Sequence, residues 1–111
     1  MNNTNVGIDI IDIETLRDKI SSSDLFLRRI LSEPEIGKSK IESIAGRIAA
    51  KEAVLKTGFI LPGEWKKIII SADETGSPVV LDLNGSRISQ LKITISHTSK
   101  VAVAVALYEK N

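Results

Sequence analysis

The spacing of apolar residues switches between a period of two and a period near 3.6 along the chain, and the switches mark its elements. Residues 6–13, VGIDIIDI, are β-branched and apolar on both faces, which predicts a buried first strand. A period of two puts Asp9 on the face of Ile11 and Ile13, and Asp12 on the face of Ile8 and Ile10. At least one of these acids is therefore expected to be buried or to stand at a strand end, where Asp9 would cap the following helix. Gly7 marks a place where another backbone or a ligand comes close. Residues 14–21 read as a short helix carrying Arg17. Ser23 reads as the N-cap of a second one over 24–32, with Phe26, Leu27, Ile30 and Leu31 inward and Arg28 and Arg29 at its margin. Pro34 and Gly37 break that pattern, and the polar residues 33–40 read as a linker and mobile loop.

Residues 39–58, SKIESIAGRIAAKEAVLKTG, predict the longest helix. Ser39 followed three residues later by Glu42 has the spacing of a capping box, and Gly58 suits the residue just past a helix end. At about 100° per residue, Ile41, Ile44, Ala45, Ile48 and Leu55 gather on one stripe, and Glu52 falls in the middle of it. Arg47 and Lys51 share one flank, with Lys56 on the other. A carboxylate aimed at a core costs several kcal/mol unless it is paired, hydrogen-bonded or metal-bound. A salt bridge to a basic neighbour is the plain structural reading of Glu52; a second misplaced acid, Asp9, favours a shared site.

Beyond Gly58, residues 59–65 read as a loop around Pro62 and Gly63. Residues 67–72 and 78–83 form a hairpin across the 74–76 turn, and 84–90 form a second turn. Two last strands, 91–97 and 101–108, are joined by Thr98, Ser99 and Lys100. On the last strand Val101, Val103, Val105 and Leu107 share one face and Ala102, Ala104 and Ala106 the other. A whole alanine face implies close packing, against either an intrachain helix or a neighbouring subunit. His97, the one histidine, ends the face of Ile93 and Ile95; at a strand end it is placed to meet a ligand, or to be an ordinary structural residue.

With 111 residues, 42% hydrophobic and 26% charged, the chain has the size and composition of a single globular domain, 1–111. A net charge of +1 gives no general case for nucleic acid or a membrane surface, so any basic site is local. The absence of cysteine excludes disulfides and thiolate chemistry. No apolar run approaches the roughly 18–20 residues needed to span a bilayer, and a soluble, cytoplasmic protein is expected.

GIDIIDI, RRILSEPE, AGRIAAKEAVLKTG, the GSPVVL hairpin and ITISHTSKVAVAVAL, in that order and over nearly the whole chain, resemble the holo-(acyl carrier protein) synthase family of 4′-phosphopantetheinyl transferases. The resemblance implies an α+β fold: an antiparallel sheet, one long helix and short N-terminal helices, assembled as a homotrimer with active sites between subunits. It implies transfer of the phosphopantetheine arm of coenzyme A to a serine of an acyl carrier protein, releasing adenosine 3′,5′-bisphosphate with Mg2+ present. Residue by residue, Asp9 and Glu52 match the family's metal carboxylates, Glu52 also as base. Lys56 and His97 match its catalytic basic residues. Arg47, Lys51, Lys56, Gly58, His97 and Thr98 fall where coenzyme A is held, and Arg17, Arg28 and Arg29 are the candidates for gripping the carrier protein.

The chain departs from the family where an arginine is common, at Thr15 and Leu25, where the turn lysine is Ser77, and in a shortened loop after Gly58. The alternative function is a coenzyme A-binding or structural trimer of the same fold with weak or lost transferase activity.

Overall fold

In the computed structural model, which describes residues 3–110, the first strand β1 (Thr4–Asp12) starts and stops slightly earlier than its apolar pattern. It ends because Asp12 turns the chain: its Oδ2 accepts from the Thr15 amide at 2.9 Å and hydroxyl at 2.7 Å and caps α1 (Ile13–Ser22). The capping role considered for Asp9 thus belongs to Asp12, and Asp9 lies within the strand. Helix α2 (Leu25–Ile30) follows, with Asp24 rather than Ser23 at its N-cap position.

The segment expected to be a linker holds a helical turn, α3 (Glu33–Ile36), closed by a capping box between Ser32 and Glu35. Pro34 sits at its start, where a missing amide costs nothing. Helix α4 (Ile41–Thr57) is the predicted long helix, but Lys40 is its N-cap residue and no side chain caps it, so the expected box at Ser39 does not form. Gly58 ends α4 in the left-handed conformation at φ +87°, its amide bonded to the Leu55 carbonyl at 3.0 Å. A short 3-10 turn (Trp65–Lys67) leads into β2 (Ile69–Ala72) and β3 (Pro78–Leu81), an antiparallel hairpin. Strands β4 (Leu91–His97) and β5 (Val101–Glu109) complete an antiparallel sheet in the order β1-β5-β4. The architecture is α+β.

Register determines which face of the sheet meets α4. Gly7, Asp9 and Ile11 of β1 pair with Ala106, Ala104 and Ala102 of β5, and these alanines pair in turn with Ile93, Ile95 and His97 of β4. The three alanines are fully buried, and α4 lies on this face with its own buried Ala49, Ala50 and Ala53. The alanine row is therefore an intrachain helix seat and not a subunit seam. A Cβ on Gly7 would lie 2.0 Å from the carbonyl oxygen of Ala53, and one on Gly46 would lie 2.9 Å from Ile95 Cγ2. The opposite face of β1 carries Val6, Ile8 and Ile10, which are 61, 57 and 66% exposed.

Helix α4 is buried on more than one stripe. Ala49, Ala50, Ala53 and Val54 belong to a core shared with β2, β3 and the sheet, while Ile44, Ala45 and Ile48 join a second core with α1 and α2. Between these cores Lys51 is wholly buried, and its ammonium bonds the Glu35 carboxylate at 2.7 Å and the Ile30 carbonyl at 2.9 Å. Glu52 is only half-buried, at the margin of the sheet face. The most deeply placed carboxylate is Glu35, on the segment whose composition reads as a loop.

Gly7→Ala is expected to lower stability by about 3 kcal/mol, because the new methyl meets backbone that cannot rotate away. Urea unfolding at constant m-value measures the loss, and a change below about 0.5 kcal/mol would contradict the close seating of β1 on α4.

Candidate functional site

Two groups of chemistry-bearing side chains lie along α4, one toward its C-terminal half against β1 and one toward its N-terminal half against the end of β4. The first is built where β1 crosses the C-terminal half of the helix. Asp9 points from the inner face of the strand toward α4, its carboxylate largely covered, and Glu52 lies on the facing flank of the helix. Gly7 makes this meeting possible, since any side chain there would push the strand off Ala53, one residue from Glu52.

Burial raises the Glu52 carboxyl above the ordinary carboxylate range, and the nearby negative charge of Asp9 raises it further. The indole N–H of Trp65 and the ammonium of Lys56 act in the opposite direction, by smaller amounts. Trp65 Nε1 is itself buried and makes no hydrogen bond, so its N–H favours the Glu52 charge from nearby without a bond of normal geometry. Lys56 is half-exposed and spans the strand and the site: its Nζ donates to the Ile8 carbonyl at 2.8 Å and to Asp9 Oδ1 at 3.1 Å. Asp9 thus has a protein cation of its own, while no ion pair involves Glu52 among the described residues.

Two carboxylates that repel one another at the margin of a core could share a cation. Among the described residues no group of three or more His, Cys, Asp and Glu side chains converges. Such a site is too sparse for a structural zinc, which takes four protein ligands. It does fit a hard divalent ion that takes one or two carboxylates and completes its shell with water and substrate oxygens.

The second group lies in a cleft of about 260 Å3 between the N-terminal half of α4, the β2–β3 hairpin and the end of β4. Arg47 and His97 line it together with Ser43, Ser71 and Gly46. Arg47 Nη1 donates to the Glu35 carbonyl and, at 2.7 Å, to Ser39 Oγ, which fixes the guanidinium at the cleft wall. His97 is exposed at the strand end, as its place in the sequence suggests. Thr98 is also exposed, but its Oγ1 accepts from the Lys100 and Val101 amides at 3.0 and 3.2 Å and so closes the β4–β5 turn.

The structure thus brings together Asp9, Glu52 and Lys56, and separately Arg47 and His97. It does not join the two sets within one chain. Asp9 is on one edge strand and His97 on the other, with β5 between them, roughly 10 Å across at two strand spacings. Lys51 is a correction: its ammonium is enclosed by Glu35 and Ile30, so it is not a free cation for a bound phosphate. Desolvation lowers its pKa, against the pull of Glu35.

Of the surface arginines, Arg17 lines a separate recess with Asp12, Asp18 and Lys100, and Arg28 is held by Asp24 and Glu33. Arg29 is exposed. Two residues of the site region, Glu35 and Trp65, lie outside the candidates that the sequence offers. Glu35 was legible from the Ser-x-x-Glu spacing of Ser32 and Glu35, whereas Trp65 gave no local signal.

No protein-family model matches the chain. It is 40% identical to the holo-(acyl-carrier-protein) synthase of Chloroherpeton thalassium, over 94% of this chain and 96% of that protein. It is 36% identical to the enzyme of the same name from Chlorobaculum tepidum, covering 94% and 97%. Among solved structures it resembles the Helicobacter pylori holo-(acyl-carrier-protein) synthase in complex with coenzyme A, with a TM-score of 0.75 and 32% identity over 91% of this chain and 96% of that one. The Bacillus anthracis enzyme superposes with a TM-score of 0.77 at 28% identity, covering 96% of each chain. With sequence likeness across nearly its full length and a shared α+β fold, the chain belongs to the holo-(acyl-carrier-protein) synthase family.

Proposed function

We propose that this chain transfers the 4′-phosphopantetheine group of coenzyme A to a serine hydroxyl of an apo acyl carrier protein, in a Mg2+-dependent reaction that releases adenosine 3′,5′-bisphosphate. The observation that carries this reading is the convergence of Asp9 and Glu52 from opposite parts of the chain beside Lys56, in a protein 36–40% identical to enzymes of that name. Asp9 and Glu52 would hold the cation, which when bound supplies positive charge to the diphosphate oxygens of coenzyme A.

The serine Oγ forms a bond to the phosphorus on the pantetheine side of the diphosphate. The bond from that phosphorus to the bridging oxygen breaks, and the oxygen leaves on adenosine 3′,5′-bisphosphate. Glu52 accepts the serine proton, being half-buried and beside the reacting region. Lys56 is exposed enough to swing from Asp9 toward a phosphate and offset its charge. Arg47 and His97 hold the nucleotide half of coenzyme A in their cleft. Thr98 adjoins His97 at the strand end, and Gly58, at the far end of α4 beside Lys56, would meet coenzyme A from the Asp9–Glu52 group. Arg17, Arg28 and Arg29 form the surface for the acidic carrier protein, Arg28 after release from Asp24 and Glu33.

A homotrimer accounts for the separation of the two groups. The exposed Val6, Ile8 and Ile10 face would be covered by a second copy, and the Asp9–Glu52 group of one subunit would complete the Arg47–His97 cleft of the next. Among the described residues no helix is long and apolar enough to cross a membrane.

Mass spectrometry, sedimentation and a Glu52→Gln variant test these readings. With coenzyme A, Mg2+ and an apo carrier protein, mass spectrometry is expected to find the carrier heavier by one phosphopantetheine, and chelator is expected to abolish the gain. No gain with several carriers would favour the coenzyme A-binding trimer for which Thr15 and Leu25 speak. Sedimentation at micromolar concentration is expected to give a three-chain mass, and a fully active monomer would refute the shared site.

Glu52→Gln is expected to lower kcat by roughly 100-fold or more. In metal-free buffer the same variant should melt higher than the parent at pH 7. The native carboxyl has a raised pKa, so the folded state holds its proton more tightly than the unfolded chain and stability falls as pH rises from about 4.5 through the folded value. Gln removes that penalty above the window and changes nothing below it. Equal melting temperatures at pH 7 would remove the electrostatic account of the Asp9–Glu52 pair.

A further inference from the structure

The buried carboxylate of Glu35 takes no part in the chemistry above, yet it accepts four hydrogen bonds from three elements. Its Oε1 takes the Ser32 amide at 2.8 Å, the Ser32 hydroxyl at 3.0 Å and the Lys51 ammonium at 2.7 Å, and its Oε2 takes the Ile70 amide at 2.8 Å. Ile70 belongs to β2 and lines the Arg47–His97 cleft. The backbone carbonyl of the same Glu35 accepts from Arg47, whose second partner is Ser39. A helix of four residues has little stability of its own. Its place against α4 is therefore set by this carboxylate, and the place of the carbonyl with it.

Burying an ion pair seldom adds net stability over an apolar pair of the same volume, so its contribution must be sought in geometry. Here the geometry is specific: one side chain ties the α3 turn to α4 through Lys51 and to β2 through Ile70, and those elements are two walls of the cleft. We propose that Glu35 is a positioning residue for coenzyme A, its carboxylate clamped by Lys51 and the Ile70 amide so that its own carbonyl holds the Arg47 guanidinium at the nucleotide end of the cleft. The inference rests on the assignment of Arg47 to coenzyme A made above. It gives Lys51 a different part from the phosphate contact expected of it: it acts inward, on the residue that places the arginine.

The test is a double-mutant cycle on coenzyme A affinity. Glu35→Gln combined with Lys51→Met removes both charges while leaving an acceptor for the Ile70 amide. The expected result is a folded protein whose coenzyme A KM and calorimetric Kd rise about tenfold, with kcat lowered less than threefold. Arg47→Ala should raise the same constants by a similar factor, and all three substitutions together should do no more than Arg47→Ala alone. Additive losses, or an unchanged KM in the folded double variant, would overturn the proposal while leaving the transferase reading in place. Arg47→Ala without effect on coenzyme A would overturn both the cleft assignment and this inference. Should the double variant not fold, Ser32→Ala decides, since it removes only one of the four bonds. A two- to threefold rise in coenzyme A KM that disappears in the Arg47→Ala background is expected, and an unchanged KM refutes the positioning role.

Discussion

The close seating of α4 on the β1–β5 sheet is the constraint from which the rest of the structure follows. It requires small residues on both sides: Ala102, Ala104 and Ala106 on β5, Gly7 on β1, and Gly46, Ala49 and Ala53 on the helix. Where the backbones come this near, a carboxylate on the strand and one on the flank of the helix meet without long side-chain reach. Short side chains leave few rotamers to be fixed, so the relative placement of Asp9 and Glu52 is set largely by backbone packing. The position Gly7 holds against the Ala53 carbonyl is consequently as much a property of the site as of the core.

That constraint also explains the exposed face. Once alanines and glycine fill the helix side of the sheet, the larger β-branched residues of β1 and β5 are left on the other side, where β4 contributes Lys92, Thr94 and Ser96. A sheet with one apolar face under a helix and a second apolar face open is unusual for an isolated chain of this size, because antiparallel sheets commonly present polar residues to water. The open face and the separation of Asp9 and Glu52 from Arg47 and His97 are two independent observations, and the proposed trimer answers both.

Much of this was legible in the sequence, and the failures have identifiable causes. The strands, the long helix, its glycine stop and the close approach at Gly7 follow from period and residue type. The face of the long helix did not, because a periodicity argument assumes one buried stripe, and α4 is enclosed by two cores. Under that assumption Glu52 reads as deep and Lys51 as lateral; in the structure Lys51 is wholly buried and Glu52 marginal. The capping box differs from the sequence expectation for a related reason. Two Ser-x-x-Glu spacings occur seven residues apart, at Ser32–Glu35 and Ser39–Glu42, and only tertiary context selects the first, through Lys51 and the Ile70 amide. The alanine face left helix and subunit equally possible, since composition specifies closeness and not the identity of the neighbour.

Lys51 and Glu52 are adjacent on α4, and adjacent helical residues point about 100° apart. With Lys51 locked inward against Glu35, the direction of Glu52 is determined, and so is that of Arg47, which lies one turn earlier on the flank of Lys51. A helix seated only by alanines has a smooth surface and little resistance to sliding or rotation, because small apolar contacts of similar shape recur at each turn. A charged pair between cores has one satisfactory arrangement, since any rotation leaves an ammonium or a carboxylate buried without a partner. The adjoining lysine and glutamate therefore divide two tasks between them: the first fixes the angle of the helix, and the second uses that angle to face Asp9.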